Sequence, residues 1–306
     1  MISNLTPSAE AFLANMARVQ RSVEEASRQV SSGKRVNVAS DAPDEVDTIL
    51  QLRADQTRNT QIQSNLALAK TDADAADSAL AGAAKLMDRA RTLGAQAANF
   101  TLDATGRQSI ADEIESIQEQ MLSISRTTVQ GRYIFSGDQD AGPAYDLDLT
   151  TPTGVSALNI SSATRRVEDP GGGSFAVTRG AADIFDARND DGTPSTANVF
   201  AALNNLRLAL TANDTAALNL AATGLQSAAD HLNTAEAFYG SVQSRIQDAM
   251  NYGNSYDVQL KTELSQKEDA DVTAAAMTLN QGNIQLQAAF QMQAKMPRTS
   301  LFDYIG

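Results

Sequence analysis

Ile2, Leu5, Ala9, Phe12, Met16, Val19, Val23, Ala26 and Val30 follow one another at alternating steps of three and four residues. A stripe of that period runs along one side of a helix and fits the stripe of a partner helix. It commits the start of the chain to a coiled coil and rules out a strand. The step then recurs. Ile62, Leu66, Ala69, Ala73, Ala76, Leu80, Ala83, Met87 and Ala90, with Gly94 and Ala97 after them, make a second stripe. Ile110, Ile114, Ile117, Met121 and Ile124 make a third, and Val199, Leu203, Leu206 and Leu210 mark a shorter helix. A long stripe follows through Ala221, Leu225, Ala228, Leu232, Ala235, Tyr239, Val242, Ile246, Ala249, Gly253, Tyr256 and Leu260. Val272, Ala276, Leu279, Leu286 and Phe290 keep the step, with polar Asn283 and Gln293 in phase.

Between residues 135 and 195 the period breaks down, and Gly, Pro, Thr, Ser and Asp crowd together. Short alternating pieces such as "SALNIS" and "SFAVTR" read as small strands between turns. Long helices at both ends around an irregular middle predict a mainly α protein. Its expected core is a long antiparallel helical bundle, a coiled-coil rod made from both chain ends, with a small β-rich insert domain in the middle. The expected division is a terminal coiled-coil assembly domain (1–42 plus 262–306), a helical bundle domain (43–135 plus 196–261) and the insert (136–195). The stripes are rich in Ala, which buries little area per residue. The terminal helices are therefore expected to be ordered only where other helices, of this chain or of other copies, cover them.

Composition removes several functions. The chain has 306 residues, no Cys, one His and a formal net charge of -13. That charge disfavours nucleic acid and anionic membrane surfaces, since both need clustered Lys and Arg. The uncharged run from Val272 to Ala294 is long enough for a membrane span, but Asn280, Gln281, Asn283, Gln285, Gln287, Gln291 and Gln293 would be costly in lipid. The N-terminus lacks the basic start and apolar block of a cleavable signal peptide. No catalytic residue, cofactor or metal site is expected. His231, on the long helix beside Leu232, has no second His or Cys to make a metal site. "DARNDDGT" has Ala187 and Asn198 where a calcium loop needs Asp and Glu, so it reads as a turn. "DPGGGSF" reads as a loop without phosphate-binding context. Tyr239, Tyr252 and Tyr256 read as bundle-edge residues with hydroxyls in water.

"SSGKRVNVASDAPDE" contains a Gly-Lys pair, but Arg35 follows it and no Gly stands six residues before Lys34, so a phosphate loop is excluded. Gly33 is expected to end a helix in the left-handed region, with Lys34 and Arg35 near the negative end of its dipole. Val36 to Val38 is expected to be extended. Asp41 is the expected N-cap of the next helix, with Pro43 in its first turn.

The same stretch resembles the N-terminal signature of bacterial flagellins and their relatives, carried by Gly33, Lys34, Arg35, Asn37, Asp41 and Pro43. The ending "LNQGNIQLQAAFQMQAKMPRTSLFDYIG" is similar to the family's C-terminal helix and tail. "GRYIFSGDQ", with Tyr133, Phe135 and Gly137, and "SLFDYI" point within the family to the members at the junction of hook and filament. "SDAP" is closer to their usual Ser-Asp-Asp-Pro, although Ala42 stands where the second Asp is usual. The resemblance covers roughly residues 1–140 and 200–306 and leaves the insert unmatched. It implies an adaptor whose terminal helices complete their folding on assembly. The implied partners are other copies of the chain in a ring or short helical layer, hook-associated protein 1, flagellin and a cytosolic export chaperone. It also implies export to the extracellular flagellum without signal cleavage. The expected assembly surface is Ile2, Leu5, Phe12, Met16, Val19, Val23, Val30, Val272, Leu279, Leu286 and Phe290. Two further readings are the filament subunit itself and a ligand-binding module carried by the insert.

Overall fold

The structure is a computed structural model that describes residues 7–98, 103–161 and 163–295. Ile2, Leu5 and the segment "SLFDYI" lie outside the described residues. The helices are α1 (Pro7–Ser32), α2 (Val46–Ala97), α3 (Ala104–Ser125), α4 (Ala181–Phe185), α5 (Val199–Thr211), α6 (Thr215–Glu268) and α7 (Val272–Lys295). Within the described residues each predicted stripe falls inside a single helix, the stripe of Val199, Leu203, Leu206 and Leu210 in the shorter α5. The strands are β1 (Thr128–Val129), β2 (Arg132–Tyr133), β3 (Tyr145–Leu147), β4 (Val155–Ala157), β5 (Arg166–Glu168) and β6 (Ser174–Ala176). They pair as three separate two-stranded antiparallel sheets, β1 with β2, β3 with β4 and β5 with β6. The architecture is mainly α, with long helices at both ends and small β pairs in the middle. Two compact units are present, Asn59–Ser255 and the residues on either side of it.

In the Asn59–Ser255 unit the stripes are buried, except for half-buried Ile124 near the end of α3. Leu66, Leu80, Ala83, Met87 and Ala90 of α2 are inaccessible to solvent, as are Leu225, Ala228 and Ile246 of α6. Ile114 and Met121 of α3 and Leu203 and Leu206 of α5 join them in one apolar cluster. Side chains fix helix starts, as at α3 and α5. The Asp103 carboxylate accepts from the Gly106 amide (2.8 Å), and the Asn198 side chain accepts from the Ala201 amide (2.8 Å).

Aromatic rings tie the β-rich segment to this core. Phe135 meets Phe185 edge-on at 5.6 Å and Tyr239 at 6.4 Å, and Tyr145 meets Phe200 at 5.3 Å. Tyr239 departs from expectation. It is buried, and its hydroxyl accepts from the Arg179 amide at 3.1 Å instead of reaching water. Burial pushes its pKa up to about 12. Its place in the stripe between Ala235 and Val242 outweighs its polar tip, while Tyr252 is exposed as expected. A charged tie adds to the rings: Arg165 bridges Asp72 of α2 (3.3 Å) and Asp140 (2.5 Å).

The two loop motifs are turns. Gly171 and Gly172 donate to Asp169 and close the β5–β6 hairpin. Asn189 and Thr193 close a turn through Gly192, with the Asp191 carboxylate held by Thr193. The Nε2 of His231 lies 2.7 Å from the Asp183 carbonyl. Among the described residues no helix is long and apolar enough to cross a membrane.

Candidate assembly interface

The other unit is built on α1 and α7, which pack against each other. Phe12, Met16, Val19, Val23 and Val30 all lie half-buried, and Ala26 among them is buried. Leu279 and Leu286 of α7 are half-buried as well, with buried Ala275 before them and buried Gly282 between them. At Gly282 the two helices meet tightly, since any Cβ there would overlap the side chain of Val23. Small residues on one helix thus let the branched residues of the other seat deeply.

Val272 and Phe290 do not join this contact to the same depth. Val272 is 45% exposed and Phe290 53% exposed, although Phe290 shares the phase of Leu286. A second set on α7 points the opposite way. Met277, Ile284 and Met292 are 62%, 66% and 64% exposed, on the side of the helix turned from α1. The sequence reading named the α1-facing stripe and missed this outer one. The signal was present, since Met277, Ile284 and Met292 step by seven and eight residues through an otherwise amide-rich helix.

The signature loop forms the base of the pair. Gly33 has φ of +71° and donates to the Gln29 carbonyl at 2.9 Å, ending α1 in the left-handed region as predicted. Lys34 pairs as an antiparallel bridge with Asp269, and the Ala270 amide donates to the Gly33 carbonyl (2.9 Å). The Arg35 amide donates to the Glu268 carbonyl (2.7 Å), and its guanidinium donates to the Lys267 carbonyl (2.6 Å) and pairs with Glu45. Two basic residues expected to serve the dipole of α1 thus serve the end of α6. The Asn37 side chain donates to the Lys34 carbonyl at 2.9 Å.

Asp41 differs from its expected role. Its carboxylate accepts from the amides of Asn37 and Val38, both at 2.9 Å, and does not cap α2. Asn37 and Val38 form bends, so residues 36–38 do not make a continuous extended segment. The Ala42 carbonyl takes the amides of Glu45 and Val46, so the turn that holds Pro43 leads into α2. Asp41 stands too far ahead of Val46 for a capping bond.

Electrostatics follow these contacts. The Val38 and Asn37 amides hold the Asp41 carboxyl below its usual range, and the Arg35 guanidinium does the same for Glu45. Burial would raise the Glu268 carboxyl, but hydrogen bonds from Lys34 and Arg53 overcome it and hold it low. Below this, Val36, Ala42 and Ile49 form a small apolar cluster against Leu264. Tyr133, Phe135 and Gly137 are not part of this site and belong to the Asn59–Ser255 unit. There Tyr133 pairs with Thr128, Phe135 is buried, and Gly137 packs against the Ala163 carbonyl.

Paired terminal helices, linked through a short loop to the end of a long α6, define a class of helical proteins whose two chain ends fold on each other. The comparisons with known proteins give that class its family. The bacterial flagellin N-terminal helical region matches residues 2–140, and the bacterial flagellin C-terminal helical region matches residues 222–305. The chain belongs to the bacterial flagellin family, a family of structural proteins of the bacterial flagellum. Flagellar hook-associated protein 3 of Salmonella typhimurium is 24% identical over 291 residues, covering 90% of each chain. Polar flagellin E of Vibrio parahaemolyticus is 29% identical over 147 residues, covering 47% of this chain and 37% of that one. The solved structure of hook associated protein-3 from Legionella pneumophila shares the fold with a TM-score of 0.62 at 14% identity, over 71% of this chain and 98% of that one.

Proposed function

We propose that the chain is a structural adaptor at the hook–filament junction, assembled through the α1–α7 pair. One observation carries this reading: α7 bears apolar side chains on two opposite faces, and α1 covers only one. Met277, Ile284 and Met292 offer the other face to neighbouring subunits, and the half-buried Phe12, Met16, Val19, Val23, Leu279 and Leu286 hold the pair together. Val30, Val272 and Phe290 extend the same surface. Burial that one copy leaves incomplete is supplied by company, so the ends gain stability as they join. The division into 1–42 with 262–306 for assembly, 43–135 with 196–261 for support and 136–195 as insert is part of this proposal.

The similarity to hook-associated protein 3 supports the junction position. In that position the neighbours are further copies of the chain, hook-associated protein 1 on the hook side and flagellin on the filament side. An export chaperone covering the outer stripe of α7 would prevent premature association in the cytosol. Export then leads to the extracellular flagellum. Deleting residues 1–30 or 275–306 should leave a folded, monomeric body by circular dichroism that no longer enters the flagellum. A truncated chain that still joins hook to filament would overturn the reading.

The match to polar flagellin E favours a second reading, the filament subunit itself. Incubating the purified chain alone separates the two, because long filaments mark a filament subunit and their absence marks an adaptor.

A further inference from the structure

Three stretches that are distant in sequence converge on one carboxylate. Glu268 ends α6, Lys34 lies in the loop after α1, and Arg53 lies on α2. The Glu268 side chain is 2% exposed, and its Oε1 receives both Lys34 and Arg53, the latter at 2.7 Å. Its Oε2 is buried without a hydrogen-bond partner. Neighbouring charges are directed elsewhere. Arg35 and Lys267 face Glu45, and the Asp269 carboxylate takes the Ser265 hydroxyl at 2.6 Å. A buried carboxylate with one bare oxygen is a poor stabiliser compared with an apolar residue of the same size. Its use is better sought in the geometry that it fixes.

That geometry is the break between α6 and α7. The Glu268 carbonyl accepts the Arg35 amide, and the Gly33 carbonyl accepts the Ala270 amide, so the loop is spliced to both sides of the break. One residue on, the Asp271 carboxylate accepts the amides of Thr273 and Ala274 (both 3.0 Å) and starts α7. We propose that Glu268 is a positioning residue: held between Lys34 and Arg53, it sets the direction in which α7 leaves α6 and so lays Gly282 against Val23. The inference deepens the reading of α1 and α7 as the assembly surface and rests on it for its biological meaning.

The test uses the full-length chain in dilute solution. Amide exchange is followed in residues 272–295, with residues 59–255 as internal reference. Glu268→Gln keeps the shape and removes the charge, and Lys34→Met removes a cation from the exposed side. Both should raise exchange in 272–295 at least tenfold relative to the reference, whose own rate should stay within twofold. Glu268→Asp should recover part of the protection. In the natural chain the relative protection of 272–295 should fall as pH drops below the ordinary glutamate range, and Glu268→Gln should shrink that dependence to the share that Glu45 contributes. Unchanged exchange in both variants, or equal loosening through 59–255, overturns the proposal. If exchange rises as expected while incorporation into flagella is undiminished, the positioning role stands and the assembly reading fails.

Discussion

The stripes of α2 and α6 and the stripes of α1 and α7 have the same period, yet the molecule treats them differently. Leu66, Leu80, Leu225 and Ile246 are inaccessible to solvent, in one apolar cluster that also takes in residues of α3, α5 and the β-rich segment. Phe12, Val19, Leu279 and Leu286 have one helix across from them and water beside them. Period alone therefore says that a helix has a partner. It does not say how many partners, and that number separates a self-sufficient core from a surface that others complete.

The sharpest way to break this contrast is to cut equivalent side chains on the two sides. Phe135→Ala or Leu80→Ala should cost about 3–5 kcal/mol of stability in a denaturant titration. Leu286→Ala, half-buried in the free chain, should cost about 1 kcal/mol or less. Equal losses would erase the distinction. Gly282→Val comes next. Its side chain would strike Val23, so about 1–3 kcal/mol of α1–α7 pairing should be lost while the melting of the other unit is unchanged. Acid should act on the same pair. The folded carboxyls of Glu268 and Glu45 lie below their ordinary values. Their contribution is therefore complete above the unfolded glutamate value and is lost as pH falls through the depressed folded values. Exchange along a pH titration should show α7 loosening before α2. The smallest effect on stability belongs to Met277→Ser with Ile284→Ser. The free chain should change by about 0.5 kcal/mol or less, yet incorporation should fail.

Much of the helical layout was legible because heptad spacing is a local signal, repeated often enough to survive polar interruptions such as Asn283. Gly33 was legible for the same reason, since a glycine after a helical run has few other uses. Glu268 was not. Its neighbours in sequence are ordinary charged residues on a helix end, and its role comes from Lys34, more than two hundred residues away. Tyr239 misled because its hydroxyl suggested water, while its position in the stripe had already placed it inside. The outer face of α7 was overlooked because Met277, Ile284 and Met292 are diluted among Gln and Asn, and only the position of α1 shows which side remains open.

The β5–β6 hairpin closes on itself through the exposed glycines 171–173, and the chain contains no cysteine. A thiol introduced at Gly173 would be unique in the polypeptide. One dye molecule per subunit could then be attached there, and the copies in an assembly counted by their fluorescence.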